Sequence, residues 1–120
     1  MSEIKSYRDL DVWQKSMELV EMLYKLTRGF PREELFGLAN QIRRSAISVP
    51  SNISEGFLRQ HTNEIIQFLY IALGSCGELD TQIEISYRLK YLKDDEKDEL
   101  AEEVNHLSRM LRNLIKSLRK

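Results

Sequence analysis

Near the end of the chain, Leu100, Val104, Leu107, Leu111, Leu114 and Leu118 recur at steps of four, three, four, three and four. This is the narrow apolar seam of an α-helix packed against other helices, and no strand, with its period of two, can present it on one face. The same rhythm runs through the rest of the chain. Leu10, Trp13, Met17, Val20, Tyr24 and Thr27 make one stripe near the start, with Val12, Leu19, Leu23 and Leu26 beside it, so the first helix is expected to face two packing partners. Leu38, Ile42, Ala46, Val49, Ile53 and Phe57 make another. Residues 65–73, IIQFLYIAL, are apolar nearly all round, with Gln67 as the one polar interruption. A helix of that kind is buried on most sides, which in a small bundle points to a second subunit.

Local punctuation divides these stripes. Asp9 is a competent N-cap, and Gly29 sits where a helix C-terminus belongs. Pro31 fits the first turn of a new segment, with Glu33 and Glu34 favourably placed near its N-terminus. Gly37 allows a bend, Gly56 is a poor interior residue, Thr62 and Asn63 can cap a third helix, and Asp94 or Asp95 a fourth. The expectation is a single domain over residues 1–120, with helices at about 9–28, 37–59, 63–90 and 94–118 joined by short turns. Residues 1–8 are expected to be loosely held. That is an all-α, antiparallel up-down-up-down four-helix bundle. Its expected core is Trp13, Met17, Ile42, Val49, Ile53, Phe68, Leu69, Ala72, Leu79, Leu107, Leu111 and Leu114.

Composition narrows the chemistry. A net charge of −1 removes any chain-wide drive toward nucleic acid or an anionic membrane, so such contact needs a local patch. Cys76 is the only cysteine, which excludes an intrachain disulfide and a thiolate zinc cluster. The longest apolar run, residues 68–73, is far below the ~20 residues of a membrane span, and the N-terminus has no signal-peptide core. A cytoplasmic protein with no membrane partner is expected. HExxH, P-loop and Gly-rich dinucleotide motifs do not occur in the sequence, so no metal or cofactor is implied.

The most unusual stretch is residues 41–59. At about 100° per residue, Gln41, Arg44, Ser48, Asn52, Glu55 and Arg59 fall within an arc of roughly 80° beside the apolar stripe. This polar row passes Pro50, which removes a helix hydrogen bond at a cost of roughly 3 kcal/mol, and runs among four modest helix formers, Ser48, Ser51, Asn52 and Ser54. Violated local propensity marks strained or functional sites. One reading is a binding or assembly site; the other, preferred because charges beside a core are normally paired, is a polar network fixing the second helix against the third. With a turn near residue 61, facing positions on these two helices sum to about 122 at equal rise per residue. The network then comprises Gln41, Arg44, Ser48, Asn52, Glu55, Ser75 and Glu78, with a salt bridge expected between Arg44 and Glu78. Gly74, Ser75, Cys76 and Gly77 suggest close helix approach at the same level.

Candidates for catalysis are thin. Cys76 with His61 or His106 would make a nucleophile and base, but a cysteine between glycines on an apolar helix reads as a packing residue. Glu55 and Glu78 as paired carboxylates sit near Arg44 and Arg59, which favours charge pairing over acid–base work. No enzyme is expected. On the fourth helix, Arg109, Arg112, Lys116, Arg119 and Lys120 form a basic ridge that can follow phosphates. The acids from Asp94 to Glu103 at the other end of that helix offer a plainer account, since both groups complement its dipole.

LDVWQKSMEL (residues 10–19), Phe30-Pro31 with Glu34, Gly37-Leu38, QIRRSAISVPSNISEG (residues 41–56), Gly74-Ser75 and Glu78-Leu79 together resemble the 23S rRNA intervening sequence protein family. This is a four-helix-bundle family to which accessory proteins of diversity-generating retroelements are related, and its members are usually uncharacterised. The resemblance implies a bundle that assembles into a homopentameric ring and, in the retroelement branch, binding to a reverse transcriptase and RNA through a strongly basic surface. The near-neutral charge departs from that branch. The functional expectation is therefore a non-enzymatic oligomeric adaptor or scaffold, with itself and a protein as partners. The alternative is an RNA- or ribonucleoprotein-binding accessory protein that uses the ridge on structured RNA.

Overall fold

The computed structural model describes residues 6–119. Four helices, α1 (Asp11–Thr27), α2 (Leu38–Arg59), α3 (Thr62–Arg88) and α4 (Asp94–Leu118), follow one another, with 3-10 turns at Tyr7–Asp9 and Arg32–Glu34. No strand occurs among the described residues, and the all-α four-helix expectation holds. Cross-helix contacts give the directions. Ser48 meets Ser75 while Ser45 meets Gln82, so α2 and α3 run antiparallel. Arg119 lies over Tyr70 while Lys97 approaches Glu84, so α3 and α4 do too. Among the α-helix pairs in contact, α2–α3 shares the most extensive interface and α1–α4 the smallest. The bundle measures 45 × 24 × 20 Å.

Each corner has its own chemistry. After α1, Gly29 and Phe30 donate back to Leu26 and Thr27, and Pro31 opens the 3-10 turn. The Glu34 carboxylate then accepts from the Leu38 amide at 3.0 Å, satisfying an orphan donor of α2, and from the Tyr91 hydroxyl at 2.9 Å. Only Gln60 and His61 separate α2 from α3, and Gln60 takes the left-handed conformation with φ 65°. At the end of α3, Lys90 does the same (φ 68°). Its amide bonds the Tyr87 carbonyl and that of Tyr91 the Ser86 carbonyl, both at 2.9 Å, a Schellman motif. The expected caps are corrected here. Asp9 closes the preceding 3-10 turn rather than capping α1, and α3 has His61 at its N-cap without a side-chain bond. At α4 it is Glu96 that reaches back to the Lys93 amide, at 2.9 Å, so neither Asp94 nor Asp95 is the cap.

The core contains Leu19 and Leu23 of α1, Ile42, Ala46, Val49 and Ile53 of α2, Leu69, Ala72, Leu79 and Ile83 of α3, and Leu100, Val104, Leu107, Leu111 and Ile115 of α4. Four expected core residues sit further out. Met17 is 36% exposed, while Trp13, Phe68 and Leu114 are half-buried. The cause on α1 is rotational: Val12, Ser16, Leu19, Leu23 and Thr27 turn inward, leaving the Trp13, Met17, Val20 and Tyr24 stripe at the rim. On α4 the seam drifts from Leu111 to Ile115, because a straight helix at 3.6 residues per turn does not keep a strict heptad.

Two glycine positions differ sharply. A Cβ on Gly56 would stand 2.8 Å from the Phe68 Cβ, so α2 and α3 approach closely there. Gly74 and Gly77 are exposed with open space around them, so the close approach expected at their level does not involve them. Ser75 and Cys76, between them, are the residues that enter the interface.

Candidate functional site

The polar row of α2 straddles the edge of the α2–α3 interface, and only its inner members join a network. Ser48 Oγ and Ser75 Oγ are 2.7 Å apart, and Asn52 Nδ2 donates to the Ser48 carbonyl at 2.8 Å and to Ser48 Oγ at 3.0 Å. Ser75 Oγ donates to the Ile71 carbonyl at 3.3 Å. These bonds order one another: with Ser75 donating to Ile71, Ser48 donates to Ser75, and Asn52 donates to Ser48. The chain thus runs Asn52, Ser48, Ser75, Ile71 in a single direction. Further along the interface Gln82 Nε2 donates to Ser45 Oγ at 3.1 Å, while the buried Gln82 Oε1 has no partner.

The outer members of the row go elsewhere. Gln41, Arg44 and Glu78 are exposed, and among the described residues no ion pair joins Arg44 to Glu78. The expected salt bridge is therefore corrected: both residues are exposed to water rather than paired across the interface. Glu55 is exposed and accepts from Arg59 Nε at 3.0 Å, one turn on in the same helix. Arg59 also approaches Glu64 at 3.6 Å and lies over the Phe68 ring. Ser45 and Gln82, which hold the interface, were not part of the expected network. The signal for Ser45 was its place one residue beyond Arg44, on the buried side of the row.

Cys76 is buried, and that burial pushes its thiol above the ordinary range, against smaller opposing effects of a Ser108 hydrogen bond and the Arg112 charge. His61 and His106 are exposed and neither acts on the thiol. Such a thiol stays protonated near neutral pH and out of reach of a substrate. No group of three or more His, Cys, Asp or Glu side chains placed to hold a metal occurs among the described residues.

The basic ridge of α4 meets α3. Arg112, Lys116 and Arg119 line a shallow cleft of about 290 Å³ with Tyr70, Leu73 and Ile115, and the Arg119 guanidinium lies 5.5 Å from the Tyr70 ring centre. Arg109 is turned to Glu102 at 3.1 Å, with both side chains well exposed. Lys120 lies outside the described residues. The cleft offers cations around a half-exposed aromatic face, a surface suited to an anionic chain with stackable groups.

Four antiparallel helices around one apolar core, with a hydrogen-bonded edge between α2 and α3, define a small all-α bundle. The 23S rRNA-intervening sequence protein family model matches residues 8–113, and the chain belongs to that family. A solved structure from Bacteroides thetaiotaomicron, described as a protein of unknown function from the S23 ribosomal protein family, is 26% identical. It superimposes with a TM-score of 0.78 over 88% of this chain and 98% of its own. No curated protein matches the chain. No helix among the described residues is long and apolar enough to cross a membrane.

Proposed function

We propose that the chain is a non-enzymatic oligomeric adaptor whose copies associate side by side, five to a ring as the family resemblance implies. The observation that supports this reading is apolar surface left uncovered on two separate faces. Between α1 and α2, Tyr7, Trp13, Met17, Val20, Ile47 and Pro50 line an open cleft of about 270 Å³. On α3, Tyr70, Ile71 and Ile85 are each more than 40% exposed, and Gly74 and Gly77 between them leave backbone accessible to another helix. Two dissimilar faces suit a head-to-tail contact, which closes into a ring when the rotation between copies permits. Light scattering at micromolar concentration tests the reading. The wild type is expected to run as a closed oligomer and a Met17→Glu, Ile47→Glu variant, altered only at exposed positions, as a folded monomer. A monomeric wild type overturns it.

A second reading, in which the protein is an RNA-binding accessory, rests on Arg112, Lys116 and Arg119 around Tyr70. Phosphate contacts release counterions, so binding to structured RNA would weaken steeply between low and moderate salt. It would also drop when these three basic residues are reversed in charge. Salt-insensitive binding, or none at low salt, removes this reading and leaves the protein adaptor.

A further inference from the structure

The cleft at the corner between α1 and α2 is lined by three arginines and by no carboxylate. Arg43, half-buried on α2, donates through Nε to Thr27 Oγ1 at 2.9 Å. Its Nη2 stands 3.5 Å from the Tyr24 carbonyl, and its guanidinium lies 4.6 Å from the Tyr24 ring centre. These contacts fix the guanidinium, yet none of them carries a full negative charge. Arg28, at the end of α1, and Arg32, at the start of the 3-10 turn, line the same cleft. None of the three forms an ion pair among the described residues. The nearby Glu34 carboxylate is committed elsewhere, to the Leu38 amide and the Tyr91 hydroxyl.

The C-terminus of α1 accounts for part of this arrangement, but a helix end carries roughly half a negative charge, against three positive ones here. Buried charge is normally paired, and Arg43 is the member of the three that is partly buried. The cleft is open to solvent and has a volume of about 460 Å³, within the range of small-molecule sites, and Phe30, Pro31, Leu35 and Ala39 give it an apolar wall. Three guanidinium groups offer more donors than one carboxylate can accept, whereas a phosphate presents several charged oxygens in the geometry an arginine fork matches. We propose that this cleft binds a small phosphate-bearing anion, with the arginines on the phosphate and the apolar wall against its organic body. The site is separate from the surfaces invoked for association and for RNA.

Calorimetric titration of the whole protein with pyrophosphate and with ADP at low salt tests the proposal. Both are expected to bind saturably, ADP more tightly. An Arg28→Ala, Arg32→Ala variant, altered only at exposed side chains, should lose about tenfold or more in affinity for both. Arg43→Gln should do the same while its circular dichroism stays helical. Charge reversal at Arg112, Lys116 and Arg119 should leave both titrations unchanged. No saturable heat at millimolar ligand, affinity unaffected by the Arg28 and Arg32 changes, or binding abolished by the α4 reversal would each overturn the site. Equal affinity for the two ligands overturns the role given to the apolar wall.

Discussion

Gly56 and Gly74 are both helical glycines, yet the space around each gives them opposite roles. A methyl group at Gly56 meets the Phe68 Cβ at 2.8 Å and the backbone of Ile65 at 3.4 and 3.5 Å, none of which can yield without moving α3. Overpacking of this kind costs about 1–3 kcal/mol, more than the roughly 1 kcal/mol that alanine gains in helix propensity. Gly56→Ala should therefore lower stability by about 1 kcal/mol net, and Gly74→Ala, in open space, should raise it by up to about 1 kcal/mol. Urea unfolding of the two variants settles the comparison; equal shifts would contradict the close approach at Gly56. Cys76 adds a pH dependence. Burial raises its thiol in the folded state, so the unfolded chain releases that proton first as pH rises. Its contribution is intact below the ordinary thiol value of about 8.5 and is lost above it, toward the raised folded value. The stability difference between wild type and Cys76→Ala should accordingly shrink between about pH 8 and pH 10. A difference constant across that range would rule this out.

Along α2 the arginine legible in the sequence and the serine that holds the interface are distinct residues. Arg44 forms no ion pair among the described residues and stands in water, so Arg44→Ala should leave stability within about 0.5 kcal/mol, the usual range for an open surface site. Ser48→Ala breaks the directional chain to Ser75, leaving Asn52 only its bond to the residue 48 carbonyl, and should cost on the order of 1 kcal/mol. Thermal denaturation of the pair measures both, and a larger loss at Arg44 would restore the salt bridge. The periodicity of residues 41–59 made the helix and its polar edge readable, because spacing alone sets which side chains share a face. It left the rotation of each helix undetermined by about 100°, one residue step. That rotation decided between Arg44 and Ser45 on α2, and between Met17 and Leu19 on α1. The corners were legible only in outline. Left-handed Gln60 and Lys90 are where glycine would be the expected residue, and no side-chain signal marks them.

At the scale of the whole bundle, the helix count, the order and the buried seam of α4 follow from apolar spacing, whereas the outer surfaces do not. Tyr70 belongs to an apolar run that reads as core, yet it lies half-exposed beside Arg119 because α4 covers only part of α3. The arginine cleft at the α1–α2 corner was invisible for another reason: Arg28, Arg32 and Arg43 are scattered in sequence and are gathered only by the turn. The two-residue link between α2 and α3, with their tight approach at Gly56, also bears on how the chain reaches this state. These helices close the shortest loop onto the largest interface, so their pairing costs least in chain entropy. The hairpin is expected to be largely formed at the folding barrier, with α1 docking later. Ile53→Val and Leu69→Ala should then slow refolding, while Leu19→Ala chiefly hastens unfolding, a division that stopped-flow chevrons of the three variants would read directly.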